Sequence, residues 1–324
     1  MTESPSAREQ SGADAAARPL RIASMLASAT ELIAALGLTD HLVAISHECD
    51  YPPGVLDRPR ASRPVFAVEG RTSGQIDAAV RSALVKHGSV YAVDAALLAR
   101  LSPSLILTQA VCDVCAVPTA GVREVVAEHG LDAEVVSLDA HTLEDILDTI
   151  VAVGRAAGVP ERAAALVTRL QSRIDAVRRA VAGQPRPRIL AIEWLDPPFL
   201  PGHWVPQMID IAGGENVAGQ AGARSVETTW AALEHLDPDV LVIMPCGYDL
   251  DASVRDADLH ATPLERVAGR AIASGRAWAV DGSSYFNRSG PRTVDGIEIL
   301  GAIVHPAALS HAHVNAAVRW PTDD

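Results

Sequence analysis

Four cysteines and one histidine are the side chains of this sequence best suited to binding a metal ion. Each lies just after a short apolar run that is typical of a β-strand; they are Cys49, Cys112, Cys115 and Cys246, with His47. If those strands are parallel, their carboxyl ends share one edge of a sheet, which would bring the thiols together. A Cys-x-x-Cys pair with a further cysteine or histidine is compatible with zinc or an iron–sulfur cluster. A redox-active thiol pair and inert buried cysteines are the alternatives.

The overall composition limits the kinds of partner. The chain has 324 residues, 48% of them hydrophobic and 21% charged, which is typical of a globular protein. At roughly 100–200 residues per domain, this length predicts about two domains. The formal net charge of −13 argues against a nucleic-acid groove and against docking on an anionic membrane, because both need a positive surface. We therefore expect neither nucleic acid nor a membrane as a partner.

The N-terminal segment bears on location. Residues 1–18 are polar and lack the apolar core of a secretory signal. No apolar stretch approaches the roughly 20 residues that a membrane span requires. These features predict a cytoplasmic protein that begins with a disordered tail over residues 1–19. A secreted chain from which the signal was trimmed is the alternative.

The elements that must position the cysteines alternate along the chain. Short apolar runs alternate with helical patterns on both sides of one long periodic segment, which predicts right-handed crossovers and mostly parallel sheets. We predict two Rossmann-like α/β lobes over residues 20–158 and 184–310, joined by one long α-helix over 159–183. A tail is expected over 311–324. Residues 98–109 and 233–245 share a helix–proline–strand pattern, which favours a duplicated lobe architecture.

Several stretches, in order, resemble one family over nearly the whole chain from about residue 20. They read IASMLASATELIAALG at 22–37, DYPP at 50–53, DPPF at 196–199 and SYFNRSGPR at 284–292. They resemble the class III substrate-binding proteins of ABC importers, which bind iron-siderophores, haem or cobalamin, and are most similar to the cobalamin-binding members. The resemblance implies the class III periplasmic-binding-protein fold, in which the ligand lies in a cleft between two lobes.

The resemblance also implies which residues contact a ligand. The expected ligand-binding residues are Glu48, Tyr51, Phe66, Phe199, His203, Trp204, Tyr285 and Arg288. Aromatic side chains suit the flat, apolar face of a corrin or another tetrapyrrole, although packing in the core is the alternative for each of them. The cysteines and His47 could contact the metal of such a ligand. His141 is expected to be structural, and Glu31 to cap the first helix together with Ser28.

Two departures from the family pattern bear on function. Secreted members carry a glutamate on each lobe that docks onto the membrane permease, and the matching positions here are Ala96 and Ala231. The sequence contains no Walker loop and no nucleophile-elbow motif. We predict a non-catalytic cytoplasmic binding protein for a corrinoid, most simply cobalamin, that does not dock with an ABC permease. One alternative is a Cys-cluster zinc or iron–sulfur protein, or an enzyme that processes a corrinoid. The other is an importer receptor for cobalamin, haem or an iron-siderophore.

Overall fold

The computed structural model describes residues 19–111, 117–310 and 315–322. The elements before the long connecting helix form the N-terminal lobe. They are β1 (Ile22–Ser24), α1 (Ala27–Ala35), β2 (Leu42–Ala44), β3 (Ser62–Pro64), α2 (Ser73–His87), β4 (Tyr91–Val93), α3 (Ala95–Leu101), β5 (Leu105–Thr108), α4 (Thr119–Glu128), β6 (Glu134–Ser137) and α5 (Leu143–Ala156).

Four strands of this lobe form a parallel sheet in the order β2-β1-β5-β6. Helices cover both faces of the sheet at strand β5, and all four residues of this strand are buried. Leu105 and Leu107 pack with α1 and α5, whereas Ile106 packs with α3 and α4. A strand that is apolar on both faces is typical of a parallel sheet between two helix layers.

Helix α2 was not among the predicted elements. It lies between β3 and β4, which pair antiparallel outside the main sheet. Thr72 and Gln75 form a capping box at its start, and Gly88 ends it in a left-handed conformation with φ 68°. Both signals are local, and together they define a 15-residue helix.

A single helix, α6 (Pro160–Val181), connects the two lobes. Pro160 is its first residue, where the missing N–H costs nothing. Its buried side chains recur at helical spacing; they are Ala163, Leu166, Leu170, Ile174, Val177 and Val181. Gly154 of α5 lets Ala163 approach closely, because a Cβ at position 154 would lie 2.3 Å from the Cβ of Ala163. The predicted connecting helix is thus confirmed, and it is packed firmly onto the N-terminal lobe.

The elements after α6 form the C-terminal lobe. They are β7 (Arg188–Ile192), β8 (Trp194–Leu195), β9 (Pro198–Leu200), α7 (Val205–Ile211), β10 (Glu215–Asn216), β11 (Val226–Glu227), α8 (Trp230–Leu233), β12 (Val240–Ile243), α9 (Leu250–Leu259), α10 (Ala261–Ala273), β13 (Ala277–Val280), α11 (Gly282–Tyr285), α12 (Thr293–Val304) and β14 (Ala317–Arg319). The main sheet has the order β10-β7-β12-β13-β14, and a small sheet has the order β11-β9-β8.

The C-terminal lobe departs from the expectation in one respect. Residues 317–319 are not part of a tail, because β14 pairs antiparallel with β13. The neighbouring Trp320 is only 2% exposed, and its indole N–H donates a hydrogen bond to Asp258 Oδ1 at 2.8 Å. The other strands of the main sheet are parallel, and the two-lobed α/β fold class is confirmed. No helix in the described part of the chain is both long and apolar enough to cross a bilayer.

Candidate ligand-binding site between the lobes

A cluster of charges joins the lobes where the loops after β2 and α11 meet helix α1. The side chains of Glu31, Arg288 and Arg292 are mostly buried, whereas that of Asp50 is 56% exposed. Arg292 donates to both carboxylate oxygens of Glu31, at 2.9 and 2.6 Å. Arg288 donates to Glu31 at 3.1 Å and to both oxygens of Asp50, at 2.6 and 2.8 Å. The Glu31 side chain is only 2% exposed. We call these four residues the arginine junction; its two guanidinium groups balance its two carboxylates.

The role expected for Glu31 is therefore wrong. Helix α1 begins after Leu26 and has no side-chain cap, so Ser28 and Glu31 do not form a capping box. Glu31 faces the C-terminal lobe, where two arginines supply the hydrogen bonds that a buried carboxylate requires. Burial alone would raise the pKa of the neighbouring Asp50, but the hydrogen bonds and charge of Arg288 lower it overall.

Two of the predicted ligand-binding aromatics lie against this junction. The Arg292 guanidinium lies over the ring of Tyr51, 4.4 Å from the centroid, and 5.5 Å from the centroid of Tyr285. Tyr51 is 45% exposed, so much of its ring remains open to solvent. Burial raises the pKa of the half-buried Tyr285, which keeps its phenol neutral at physiological pH.

The other predicted aromatics differ in their surroundings. Phe199 is half-buried in β9, and Phe66 is half-buried with the Arg71 guanidinium 5.7 Å from its ring. Trp204 is only 7% exposed, and its indole N–H donates to the carbonyl oxygen of Phe286 at 2.8 Å. Core packing, the alternative stated above, therefore describes Trp204 better than an open ligand surface.

His203 brings an imidazole close to the opposite lobe. Its ring centroid lies 5.7 Å from that of His141, which follows β6 of the N-terminal lobe, and 5.6 Å from that of Trp204. Its backbone has φ 50°, a conformation that favours glycine. Its Nδ1 atom is buried without a hydrogen-bond partner. Burial lowers the pKa of His203, and His141 and Arg224 lower it further, so the imidazole is neutral at physiological pH.

Glu48 and His47 form a local pair beside the arginine junction. His47 Nε2 lies 3.1 Å from Glu48 Oε1, and its Nδ1 atom lies 2.8 Å from the Ser62 hydroxyl oxygen. The hydrogen bond with His47 lowers the pKa of Glu48. The Glu48 side chain is 42% exposed and so remains accessible to a ligand.

The predicted thiol cluster gains no support from the described residues. The Cys49 sulfur is buried 3.0 Å from the Thr30 hydroxyl oxygen, and burial raises the pKa of the thiol, which disfavours the thiolate that metals bind. Cys246 is half-buried in the other lobe. Within residues 19–111, 117–310 and 315–322, no three His, Cys, Asp or Glu side chains are placed to hold a metal ion. Cys112 and Cys115 lie outside the described residues.

Sequence reasoning passed over two residues that the fold brings to the site. Arg292 and Asp50 complete the arginine junction. The strand pattern itself points to Glu193, a half-buried acid at the carboxyl end of β7. Burial raises the pKa of Glu193, although the Ser225 hydroxyl donates to its carboxyl group at 2.6 Å. The signal for Arg292 was its spacing of four residues from Arg288, but the acids that bind it are more than 200 residues away.

Comparisons with known proteins agree on the type of protein. A family model described as "Periplasmic binding protein" matches residues 22–276. The chain is 22% identical to a vitamin B12-binding protein of Vibrio cholerae over 282 residues, 86% of each chain.

Solved structures show the same fold at low identity. A periplasmic vitamin B12-binding protein of V. cholerae matches with a TM-score of 0.62 and 21% identity, over 89% of this chain and 97% of that chain. A periplasmic haem-binding protein of Pseudomonas aeruginosa matches with a TM-score of 0.65 and 22% identity, over 90% and 94% of the two chains. An ABC transporter substrate-binding protein of Listeria monocytogenes matches with a TM-score of 0.64 and 17% identity, over 89% and 100%.

These findings correct two expectations and confirm a third. The expected cytoplasmic location is wrong, because the matching family and the V. cholerae and P. aeruginosa structures are periplasmic binding proteins. The expected lack of permease docking is also unsupported, since an importer receptor fits this family better. The relatives are binding proteins and not enzymes, so the prediction of a non-catalytic protein is confirmed. A family match that covers well over half of the chain shows that this protein belongs to the periplasmic binding protein family.

Proposed function

We propose that this protein is the substrate-binding receptor of an ABC importer and that it holds a corrinoid, cobalamin first of all, between its two lobes. One observation carries the proposal: Tyr51 of one lobe and Tyr285 of the other lie against the same guanidinium where the lobes meet. Aromatic rings contributed by both lobes suit a flat, largely apolar macrocycle. The similarity to a vitamin B12-binding protein over 86% of both chains supports the same ligand.

A direct titration tests this proposal. Purified protein is mixed with hydroxocobalamin, cobinamide or haemin, desalted and scanned for retained absorbance, and affinities are taken from tryptophan quenching. We expect the corrinoids to be retained with 1:1 stoichiometry. Loss of both corrinoids on desalting, with no quenching, would reject the corrinoid assignment.

Phe199 provides a residue-level test. Phe199→Ala removes a half-buried ring beside the expected ligand, and we expect hydroxocobalamin binding to weaken by about 1–3 kcal/mol through lost apolar burial. Leu259→Ala is the control, because Leu259 is a 68% exposed apolar residue on α9. Equal losses in the two variants would contradict a role for Phe199 in binding.

Haem is the second candidate ligand, and His203 favours it. A neutral imidazole is a suitable ligand for haem iron, and burial lowers the pKa of His203. His203→Gln distinguishes the candidates, because it would change the Soret band of bound haemin if the imidazole binds iron. An unchanged Soret band would leave the corrinoid as the favoured ligand.

Docking on a permease would need acids other than those expected from the family. Ala96 on α3 and Ala231 on α8 are both exposed where family members carry glutamates. With a net charge of −13, the protein has many other acids that could contact a basic permease surface. We expect its binding to a detergent-solubilised cobalamin importer to weaken as salt is raised. Binding that is absent at low salt would contradict the receptor role.

A further inference from the structure

Arg292 connects aromatic rings that belong to different lobes. Tyr51 lies in the loop after β2, and Tyr285 ends α11. The carbon at the centre of the Arg292 guanidinium is 4.4 Å from one ring centroid and 5.5 Å from the other. A guanidinium within about 6 Å of an aromatic centroid is in cation–π range. One side chain thus contacts both tyrosines proposed to face the ligand.

The guanidinium is itself held in a fixed position. Its Nε and Nη2 atoms donate to the two oxygens of Glu31, and this bidentate geometry makes an arginine–carboxylate pair directional. Glu31 belongs to α1, whose neighbouring residues Leu32 and Ile33 are in the core. The position of Arg292 is therefore set by a buried helix and not by a surface loop.

The loop that carries Tyr51 is fixed at a second point. Arg288 donates to both carboxylate oxygens of Asp50, the residue before Tyr51, and also to Glu31. The Tyr51 backbone is thereby tied to the same carboxylate that orients Arg292. Tyr51 is 45% exposed as a residue, whereas the Arg292 side chain is 15% exposed. The cation lies behind the ring, and the open part of the ring is available to a ligand.

A cation packed against an aromatic ring changes which ligands bind well to the exposed part of that ring. The face of the ring carries a negative electrostatic potential, which the positive guanidinium already partly neutralises. A second cation would then gain less from that ring, whereas a flat, electron-rich π system would lose less by stacking on it. This electrostatic arrangement favours a neutral or anionic conjugated macrocycle over a flat cation.

We propose that Arg292 is a positioning residue that holds Tyr51 and Tyr285, one from each lobe, in register for a flat, neutral or anionic conjugated ligand. This inference rests on the proposed function for its ligand class. The positioning itself concerns the free protein and can be measured without any ligand.

The first arm of the test observes the tyrosine rings directly. The chain has only four tyrosines, so ring-labelled tyrosine gives four resolvable sets of NMR signals. Arg292→Lys keeps the charge but loses the bidentate hydrogen bonds with Glu31 and the stacking of a planar guanidinium on the tyrosine rings. We expect the signals of Tyr51 and Tyr285 to shift and those of Tyr91 and Tyr248 to stay. Shifts in only one or neither of the first two would overturn the proposal.

Arg173→Lys is the matched control. Arg173 of α6 makes the same bidentate hydrogen bonds with Glu298, at 2.8 and 2.7 Å, and it also donates to Asp295. Because the Arg173 side chain is more exposed than that of Arg292, we expect Arg173→Lys to lower stability less. It should leave the Tyr51 signal in place, and the control is read on Tyr51 because Asp295 contributes to the electrostatics of Tyr285. If Arg292→Lys fails to fold, Tyr51→Leu replaces it, and the Tyr285 signal should then move because both rings share one guanidinium. An unmoved Tyr285 signal would overturn the proposal.

The second arm measures ligand selection. Arg292→Lys should weaken the binding of hydroxocobalamin or haemin, whichever the wild type binds, at least tenfold. It should weaken the binding of the flat cationic dye methylene blue less. Tyrosine signals that move while every affinity stays within twofold of the wild type would overturn the role in selection. If the wild type binds neither macrocycle, the proposed function fails, whereas the NMR arm still decides whether Arg292 positions the two rings.

Discussion

Two junctions between the lobes differ in their electrostatics. The arginine junction pairs the carboxylates of Glu31 and Asp50 with two guanidinium groups. At the second, which we call the α2 junction, the Ser73 hydroxyl donates to Asp256 Oδ1 at 2.8 Å, and both residues are buried. The Asp196 carboxylate lies against Gly74 there. One junction is balanced by full charges, whereas the other places two carboxylates at a helix N-terminus, where a hydroxyl, the helix dipole and the imidazole of His260, 3.5 Å from Asp256 Oδ1, favour them.

The pKa values at the two junctions move in opposite directions. Although burial opposes ionisation of Asp50, Arg288 lowers the pKa of its carboxyl group overall. Burial raises the pKa of Asp256, and the nearby Asp196 raises it further, against the hydrogen bond from Ser73 and the charge of His260. Acidification therefore weakens one contact between the lobes and strengthens the other.

The largest effect is expected from breaking the arginine junction. Glu31→Ala leaves two buried guanidinium groups without their shared acceptor, and removing one partner of a buried ion pair costs about 3–5 kcal/mol of unfolding free energy. Urea unfolding followed by far-UV circular dichroism measures the loss. Glu124→Ala, at an exposed position on α4, is the control and should change stability by less than about 0.5 kcal/mol. A loss below about 1 kcal/mol for Glu31→Ala would show that solvent replaces the acceptor.

A smaller effect is expected at the α2 junction. A Cβ at position 74 would lie 2.2 Å from Asp196 Oδ2, so Gly74→Val forces the helix and the carboxylate apart. Overpacking of this kind costs about 1–3 kcal/mol. Gly121→Val on α4 is the matched control, because a Cβ there meets nothing within 4 Å. If the two variants have the same melting temperature, α2 does not rest tightly on the C-terminal lobe.

The two junctions should affect stability at different pH values. Because the pKa of Asp256 is raised in the folded state, its contribution is present below the unfolded value of about 3.9 and is lost as pH rises through the folded value. Asp256→Asn should remove this loss and give a flatter stability curve above about pH 4. The lowered pKa of Asp50 stabilises the fold above about pH 3.9, and this stability disappears as pH falls. Asp50→Asn should therefore lower the free energy of unfolding above about pH 4 and have little effect at lower pH. Parallel curves for the two variants would contradict the opposite electrostatics.

The smallest effect concerns thiol reactivity beside the arginine junction. Cys49 is buried near Thr30 of α1 and its thiol pKa is raised, so iodoacetamide should modify it more slowly than the half-buried Cys246. Peptide mass spectrometry separates the two sites. Modification of Cys49 should accelerate in Glu31→Ala and not in Gly74→Val, since only the former variant disturbs α1. Equal acceleration in both would mean that the junctions open together.

The sequence by itself determined the strands of the parallel sheets and most of the helices, although it missed α2. Periodic apolar residues from Ala163 to Val181 predicted the connecting helix, because the spacing of buried side chains reflects the local turn of the backbone. The alternation of short apolar runs with helical patterns predicted the parallel sheets on both sides of it. Tyr51, Tyr285 and Arg288 were also found from sequence motifs, and they converge in the structure on the arginine junction.

Only the tertiary structure decided which of these residues meet. Glu31 matched a local capping pattern, yet its partner Arg292 is 261 residues away along the chain. The Ser73–Asp256 contact spans 183 residues and needs both lobes to be folded. Local periodicity reports which face of an element is buried, but it carries no information on what that face is buried against. The pairing of the two lobes, and with it the position of the candidate site, is therefore a property of the packed molecule.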